Sequence, residues 1–304
     1  MISREGAKVL IGPSSFAETD RAPLERLSAS GLEVIPNPFK RKLTREELLN
    51  LLDKDVIGII AGLEPLDREV LERSQLKVIS RCGSGMSNVD LETARKKGIR
   101  VYSTPLGPVT AVAELTIGSL LCLLRGIHLS NSSMHQERWF KPMGRQLLGK
   151  RAVLIGFGRI GRQVGQLLLA FGVEVIAVDP LYRNDNPGIR KAELTEALRS
   201  ADIITLHCSG NQVILGRKEF DLMKNGVIIL NAARGGLISE EALLEALEKG
   251  KVAGAWLDAF REEPYQGPLC RSSRVLLTSH IGSYTAECRR AMELEAVDNL
   301  LQAF

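Results

Sequence analysis

The fold expected of this chain is decided by one run of residues, Arg151-Ala152-Val153-Leu154-Ile155-Gly156-Phe157-Gly158-Arg159-Ile160-Gly161. Its apolar first half predicts a strand over 151–155, and the pattern Gly-x-Gly-x-x-Gly leads into a predicted helix over 160–171. In such a turn the first glycine permits a sharp bend, the second lets the backbone approach a pyrophosphate, and the third lets the helix pack against the strand. Because the N–H groups at the start of a helix favour anions, the run predicts a dinucleotide-binding unit.

A carboxylate after the next predicted strand indicates which dinucleotide binds. Asp179 follows the strand Glu174–Val178 and lies eighteen residues after Gly161. There it would accept hydrogen bonds from both ribose hydroxyls of NAD and repel the 2′-phosphate of NADP, so NAD is the predicted cofactor. Two alternatives stay open: an ordinary tight turn followed by a chance aspartate, and an Arg183 that favours NADP instead of facing solvent.

Strands and helices alternate on both sides of the glycine run. Such alternation is typical of parallel sheets covered by helices on both faces, so we predict an α/β fold with two doubly wound parallel-sheet domains. The predicted strands are Lys8–Ile11, Glu33–Ile35, Val56–Ala61, 77–81 and 100–102 before the run, and Glu174–Val178, 202–206, Val227–Asn231, Val252–Leu257 and Val275–Leu277 after it.

Helix signals suggest how the domains are joined. Thr44 and Glu47 form the pattern of a capping box at the start of a helix. A long helical stretch over 109–138 is predicted to connect the domains, and the last helix, from about Thr285, has no strand after it and is expected to return to the first domain. The predicted domains are 1–104 plus 285–304, which bind the substrate, and 105–284, which bind the dinucleotide.

Composition excludes several classes of protein. The 304 residues are 44% hydrophobic and 25% charged, with a net charge of +4 whose positive and negative residues are interspersed, so neither disorder nor a nucleic-acid partner is expected. The five cysteines form no Cys-x-x-Cys pair, which predicts reduced thiols, no disulfide framework and no metal site.

No membrane partner is expected either. The most apolar stretch, 111–124, is interrupted by Glu114 and closed by Arg125, and it is too short to span a bilayer. The first six residues have no apolar run of the kind that marks a protein for export, so we expect a cytoplasmic location.

Three polar segments follow predicted strands in the second half, where ligands bind in doubly wound sheets: 231–236 (Asn-Ala-Ala-Arg-Gly-Gly), 258–264 (Asp-Ala-Phe-Arg-Glu-Glu-Pro) and 277–282 (Leu-Thr-Ser-His-Ile-Gly). Together with 81–85 (Arg-Cys-Gly-Ser-Gly), 88–90 (Asn-Val-Asp) and 113–115 (Ala-Glu-Leu), they resemble the D-isomer-specific 2-hydroxyacid dehydrogenase family over nearly the whole chain. The resemblance implies a flavodoxin-like substrate domain and a Rossmann dinucleotide-binding domain.

The residue types in these segments suit oxidation of a hydroxy acid. His280 can take the hydroxyl proton because imidazole titrates near neutral pH. Glu263 can orient the imidazole and favour its protonated form. Arg234 offers a planar fork to a carboxylate. The resemblance implies the same three roles, and a carboxylate at 263 argues against a formate dehydrogenase-like member, which would be expected to carry glutamine.

Each of these assignments has an alternative. Arg234 as a surface arginine, Glu263 as a turn residue with Glu262 as the real partner, and His280 as a structural histidine all stay open.

The resemblance implies further site residues. The loop at Ser84 and Gly85, with Arg81 beside it, would hold the substrate. Trp256 is expected in the core, and Cys208 lies near the cofactor without a chemical role. The positions expected to contact NAD are Thr110, Gly156, Gly158, Arg159, Ile160, Gly161, Asp179, Cys208, Ala232, Ala233, Asp258 and Gly282.

The substrate and the assembly are further expectations. The segments 62–66 and 76–81 look like the D-3-phosphoglycerate dehydrogenase branch, although glyoxylate/hydroxypyruvate reductases and D-lactate dehydrogenases share this frame, and Glu64 would repel a phosphate if it faced the site. A homodimer is expected because the 111–124 helix is very apolar and because Trp139 and Phe140 match a segment that crosses to the partner subunit in the family. Serine inhibition is not expected, since the sequence ends at Phe304. A NAD-binding regulator without turnover is the alternative outside enzymes.

Overall fold

A computed structural model describes residues 6–183 and 185–304. The chain divides into two compact units, one formed by Met1–Pro108 with Ser283–Phe304 and the other by Val109–Gly282. The boundaries predicted from the sequence, 104 and 285, lie a few residues away, and the terminal helix belongs to the first unit.

The first unit contains a five-stranded parallel sheet in the order β2-β1-β3-β4-β5. This is the flavodoxin-like order, in which the connections reverse direction between β1 and β3. The terminal helix α11 (Ala286–Gln302) packs on this sheet, and the Ser80 hydroxyl donates a 2.7 Å hydrogen bond to the carbonyl of Ala296. The remaining elements are β1 (Lys8–Ile11), α1 (Ala22–Ser28), β2 (Glu33–Ile35), α2 (Arg45–Leu51), β3 (Val56–Ala61), α3 (Arg68–Arg73), β4 (Val78–Arg81), α4 (Leu91–Lys96) and β5 (Arg100–Ser103).

The capping box predicted at α2 is confirmed. The Thr44 hydroxyl accepts a hydrogen bond from Glu47 N at 3.3 Å, and the Glu47 carboxylate accepts one from Thr44 N at 2.8 Å. Two N–H groups that would otherwise lack partners at the start of the helix are satisfied in this way.

The second unit contains a seven-stranded parallel sheet in the order β12-β11-β10-β9-β6-β7-β8. The strand that precedes the glycine run, β6, lies between β9 and β7, which is the Rossmann arrangement. The predicted fold class is therefore confirmed, although β8, α8 and α9 were not foreseen. The elements are β6 (Arg151–Ile155), α7 (Arg159–Ala170), β7 (Glu174–Val178), β8 (Ile189–Lys191), α8 (Leu194–Ser200), β9 (Ile203–Leu206), α9 (Arg217–Leu222), β10 (Val227–Asn231), α10 (Glu240–Glu248), β11 (Val252–Leu257) and β12 (Val275–Leu277).

The single helix predicted over 109–138 is wrong. The structure has two helices, α5 (Pro108–Arg125) and α6 (Ile127–Met134), because Gly126 adopts a left-handed conformation with φ of 60°. A side chain at this position would be strained, and its Cβ would lie 2.8 Å from the ring of Pro142.

The prediction that the apolar stretch is too short for a membrane also needs correction. The helix α5 has 18 residues, and by length and composition alone it could cross a bilayer. Half of that stretch is buried in the protein, where Leu120 and Leu124 pack in one cluster with Leu154 of β6. Such packing is typical of a core helix, which passes the same test of length and composition.

Candidate active site

In the glycine turn after β6, two glycines pack closely against other protein atoms and the third faces open space. Gly156 has a φ of 90°, and a Cβ there would overlap Cys208 N, while a Cβ on Gly161 would overlap the carbonyl oxygen of Gly156. A Cβ on Gly158, in contrast, would meet no protein atom within 4 Å. The first and third glycines are therefore required by packing, and the second keeps a space where a pyrophosphate can approach the backbone.

Asp179 lies at the tip of β7, beside this turn. Its carboxylate accepts hydrogen bonds from Phe157 N at 2.7 Å and from Leu181 N at 2.8 Å. A carboxylate has about four acceptor sites, so capacity remains for ribose hydroxyls. Arg159, which opens α7, is exposed, as is Arg183. The residues present fit NAD.

Two neighbouring side chains lie near the glycine turn without suiting proton transfer. Burial lowers the pKa of His207 to about 4, and its Nε2 lies 2.9 Å from the hydroxyl oxygen of Thr205. Burial raises the pKa of the Cys208 thiol, and the nearby charge of Asp179 raises it further. A neutral imidazole and a protonated thiol agree with the expectation that Cys208 has no chemical role.

The turn that carries Arg234 is held by Asn231, for which the sequence predicted no role. Asn231, buried at the end of β10, accepts a hydrogen bond from Ala233 N at 3.0 Å and donates one to the Arg234 carbonyl at 2.9 Å. The next residue, Gly235, packs so closely that a Cβ would overlap the backbone of Phe260. This contact brings the Arg234 turn against the segment that leads to Glu263.

His280 and Glu263 form the pair predicted from the sequence. His280 Nδ1 lies 2.9 Å from Oε2 and 3.0 Å from Oε1 of Glu263, whose Oε1 also accepts a hydrogen bond from Phe260 N at 3.0 Å. The hydrogen bond to Glu263 raises the pKa of His280. Burial lowers this pKa but only partly offsets the effect of the hydrogen bond. Burial alone would raise the pKa of Glu263, but its hydrogen bonds with His280 and Phe260 N outweigh burial and lower it.

Arg234 completes the cluster. It lies in the turn whose next residue, Gly235, packs against Phe260, and its positive charge acts to lower the pKa of both Glu263 and His280. Arg234 Nη1 also donates a 2.7 Å hydrogen bond to the Ala233 carbonyl. The structure therefore brings together the three residues predicted to be catalytic.

Asp258 has a role in holding the His280 loop. It is 1% exposed, and its carboxylate accepts hydrogen bonds from Ile281 N at 2.9 Å and Gly282 N at 2.8 Å. The Thr278 hydroxyl donates a third, at 2.6 Å, and accepts one from Trp256 Nε1 at 3.0 Å. Trp256 is fully buried, as expected. Thr278 is not among the residues predicted from the sequence; its short hydroxyl side chain after β12 was the available signal.

The other predicted contacts of NAD lie on the second unit. Thr110 is exposed in the first turn of α5, and a Cβ on Gly282 would lie 3.3 Å from Val112, two residues further along. Ala232 is half-buried beside the Arg234 turn and Ala233 is buried. Across residues 6–183 and 185–304, no three His, Cys, Asp or Glu side chains are grouped so as to hold a metal ion.

The predicted substrate loop lies at the carboxyl end of β4 in the first unit. Arg81 Nη1 donates a hydrogen bond to the Cys82 carbonyl and covers Gly83, where a Cβ would overlap the guanidinium. Ser84, just beyond, is exposed, and Gly85 is half-exposed. Arg81 thus braces the turn that presents this loop.

Glu64 is buried at the end of β3 and is 1% exposed. Its Oε1 accepts a 2.7 Å hydrogen bond from Gly62 N, and its carboxylate fills the space beside Gly12. Glu64 therefore does not present its carboxylate to solvent.

Comparison with known proteins decides the family. A sequence model described as "D-isomer specific 2-hydroxyacid dehydrogenase, NAD binding domain" matches residues 117–282. The chain belongs to this family. Relatives in this family are named as dehydrogenases and reductases, and the matching model is that of an NAD-binding domain. The family, the NAD cofactor and the oxidoreductase class predicted from the sequence are therefore confirmed.

Relatives within the family differ in name. The chain is 36% identical to a hydroxypyruvate reductase of Thermotoga maritima, over 86% of this chain and 88% of that protein. It is 40% identical to a D-3-phosphoglycerate dehydrogenase of Methanocaldococcus jannaschii, over 82% of this chain but only 50% of that protein. The crystal structure of a glyoxylate reductase from Paecilomyes thermophila matches with a TM-score of 0.87 and 32% identity, over 97% of this chain and 94% of that chain.

Proposed function

We propose that this protein interconverts a D-2-hydroxy acid and the corresponding 2-keto acid, with His280 as the acid–base catalyst. The observation that carries the proposal is the contact of 2.9 Å between His280 Nδ1 and Glu263. NAD, when bound, accepts the hydride in oxidation or, as NADH, supplies it in reduction.

The protein's own residues account for the proton and for the orientation of the substrate. Because Glu263 holds Nδ1 of His280, the other ring nitrogen, Nε2, is the atom available to take or give the proton. The raised pKa of His280 favours the imidazolium, which is the form that donates a proton to a keto oxygen during reduction. Arg234 would bind the substrate carboxylate through its planar fork and so orient the reacting carbon.

For the substrate, our first candidate is 3-phosphoglycerate, with 3-phosphohydroxypyruvate as its keto form. Similarity to the D-3-phosphoglycerate dehydrogenase of M. jannaschii supports it, and the buried position of Glu64 removes the objection that its carboxylate would face a phosphate. Arg81 is the first candidate for the cation that binds the phosphate, and Arg138 and Lys141 are alternative candidates; arginine is well suited to this role.

Hydroxypyruvate is the second candidate, because the chain spans 88% of the T. maritima hydroxypyruvate reductase but only half of the M. jannaschii enzyme. An unphosphorylated substrate is also consistent with the contacts of two arginines. Arg81 donates to the Cys82 carbonyl and Arg138 donates to Gln136, so each would have fewer N–H donors for a phosphate.

Rates of NADH and NADPH oxidation with 3-phosphohydroxypyruvate, hydroxypyruvate, glyoxylate and pyruvate, compared as kcat/KM, test these proposals. We expect turnover with NADH and the highest kcat/KM with the phosphorylated keto acid. A higher value with hydroxypyruvate would select the second candidate and leave the hydride chemistry intact. NADH binding without reduction of any keto acid in the panel would favour the regulator and contradict the proposed activity.

A further inference from the structure

A series of hydrogen bonds runs from Trp256, in the core of the second unit, to the backbone N–H groups of Ile281 and Gly282, which follow His280 in the sequence. Trp256 Nε1 donates to the Thr278 hydroxyl at 3.0 Å, and that hydroxyl donates to Asp258 Oδ1 at 2.6 Å. The same Oδ1 accepts the N–H of Ile281 at 2.9 Å, and Oδ2 accepts that of Gly282 at 2.8 Å.

His280 lies between Thr278 and Ile281, two residues joined through Asp258, and it has a backbone conformation that non-glycine residues seldom adopt. Its φ is 56°, in the left-handed region, and its N–H donates to the Thr278 carbonyl at 3.0 Å. Such a conformation persists only where surrounding contacts impose it. The backbone before His280 is fixed at Thr278, and the backbone after it is fixed by Asp258.

We infer that Thr278 is a positioning residue, whose hydroxyl orients the Asp258 carboxylate and thereby holds the imidazole of His280 against Glu263. This inference rests on the proposed function, in which His280 transfers the proton. Thr278 has one hydroxyl oxygen that both accepts from Trp256 and donates to Asp258, so no apolar side chain of the same shape can replace it.

Loss of the hydroxyl has a specific consequence. Thr278→Val keeps the volume and the branched shape but leaves the buried Trp256 N–H without its acceptor and removes one donor from Asp258. The carboxylate can then rotate, and the 280–282 loop loses the fixed point that imposes its conformation. A displacement of about 1 Å at a reacting group can lower a rate by about 10²-fold.

The experiment compares the wild-type protein with Thr278→Val, Thr278→Ser and Thr116→Val. Thr278→Ser restores the hydroxyl, and Thr116→Val is the matched control because Thr116 is buried in the same unit and donates only to the Val112 carbonyl within α5. We would measure kcat and KM for the keto acid and, by NMR of histidine-labelled protein, the pKa of His280. Glu263, Asp258 and Arg234 are the charged groups that act on this imidazole.

We expect Thr278→Val to lower kcat by up to about 10²-fold with little change in KM, and to move the pKa of His280 toward its ordinary value. Thr278→Ser and Thr116→Val should resemble the wild type in both readouts. A Thr278→Val protein with unchanged kcat and an unchanged His280 titration would overturn the inference, as would a Thr278→Ser protein as impaired as Thr278→Val.

Two further results keep the inference separate from folding and from the proposed function. If Thr278→Val does not fold, Trp256→Phe removes the donor to Thr278 together with part of a buried ring, and the His280 titration should shift in the same direction. No shift would count against the inference. If the wild type reduces no keto acid, the proposed function fails, and the NMR titration of His280 still decides what Thr278 does.

Discussion

At the scale of single residues, the chemistry depends on the imidazole of His280. We expect His280→Ala to lower turnover by about 10²–10⁴-fold, the usual contribution of an acid–base group, with NADH affinity nearly unchanged. Steady-state kinetics and a fluorescence titration with NADH measure the two effects. His135→Ala is the control, because this exposed histidine caps the end of α6 and has no part in the site. If His280→Ala turned over as fast as that control, the proton would have to come from another group.

The charge on His280 depends on Glu263. Since the hydrogen bond from Glu263 raises the pKa of His280, Glu263→Gln should lower that pKa. Reduction needs the protonated imidazole, so the decline of kcat/KM with rising pH should begin at a lower pH in this variant.

Profiles of kcat/KM against pH for the wild type, Glu263→Gln and Glu262→Gln test that pairing. Glu262 is exposed beside Glu263, so its variant should keep the wild-type profile. A shift in Glu262→Gln with none in Glu263→Gln would reverse the assignment made from the structure.

At the scale of elements, the strand–turn–helix at 151–170 could be predicted closely because one local pattern specifies all of it. The glycines fix the turn, a continuous apolar run specifies the buried strand, and residues at helical spacing specify the buried face of α7. The break at Gly126 could not be read in the same way, since an isolated glycine is tolerated within helices and only the fold brings Pro142 to where a side chain at 126 would be.

The three glycines of the turn predict different effects of substitution. Gly158→Ala should leave the melting temperature unchanged, because its Cβ meets no protein atom, but should weaken NADH binding by filling the space beside the helix N-terminus. Gly156→Ala should lower the melting temperature as well, since its Cβ would overlap Cys208 N and its φ of 90° disfavours a side chain.

Thermal unfolding and NADH titration separate the two effects. Gly118→Ala, at an exposed position of α5 with no neighbour within 4 Å, serves as the control for binding. Wild-type NADH affinity in a folded Gly158→Ala protein would show that the pyrophosphate does not approach the backbone there.

At the scale of the whole molecule, the sequence could identify most of the candidate site but not how its parts are held. Arg234, Glu263 and His280 could be proposed from their motifs, because function restricts these residue types. Asn231 and Thr278 act through hydrogen bonds to groups made adjacent only by the fold, such as Asp258 beside Thr278, and no local pattern reveals that pairing.

Assembly is the remaining prediction at this scale, and it rests on one exposed segment. Trp139, Phe140 and Met143 are 78%, 49% and 97% exposed, and apolar side chains concentrated in this way mark an interaction surface. We expect a second copy of this chain to cover them, as the family resemblance of this segment implies. Light scattering should then give twice the chain mass of 33.3 kDa.

Trp139→Glu with Met143→Glu should lower the measured mass toward one chain by placing charges in the interface. Leu91→Glu, at a 50% exposed position of α4 in the other unit, should not lower it. A wild-type mass of one chain at micromolar concentration would leave this apolar segment without the partner proposed for it.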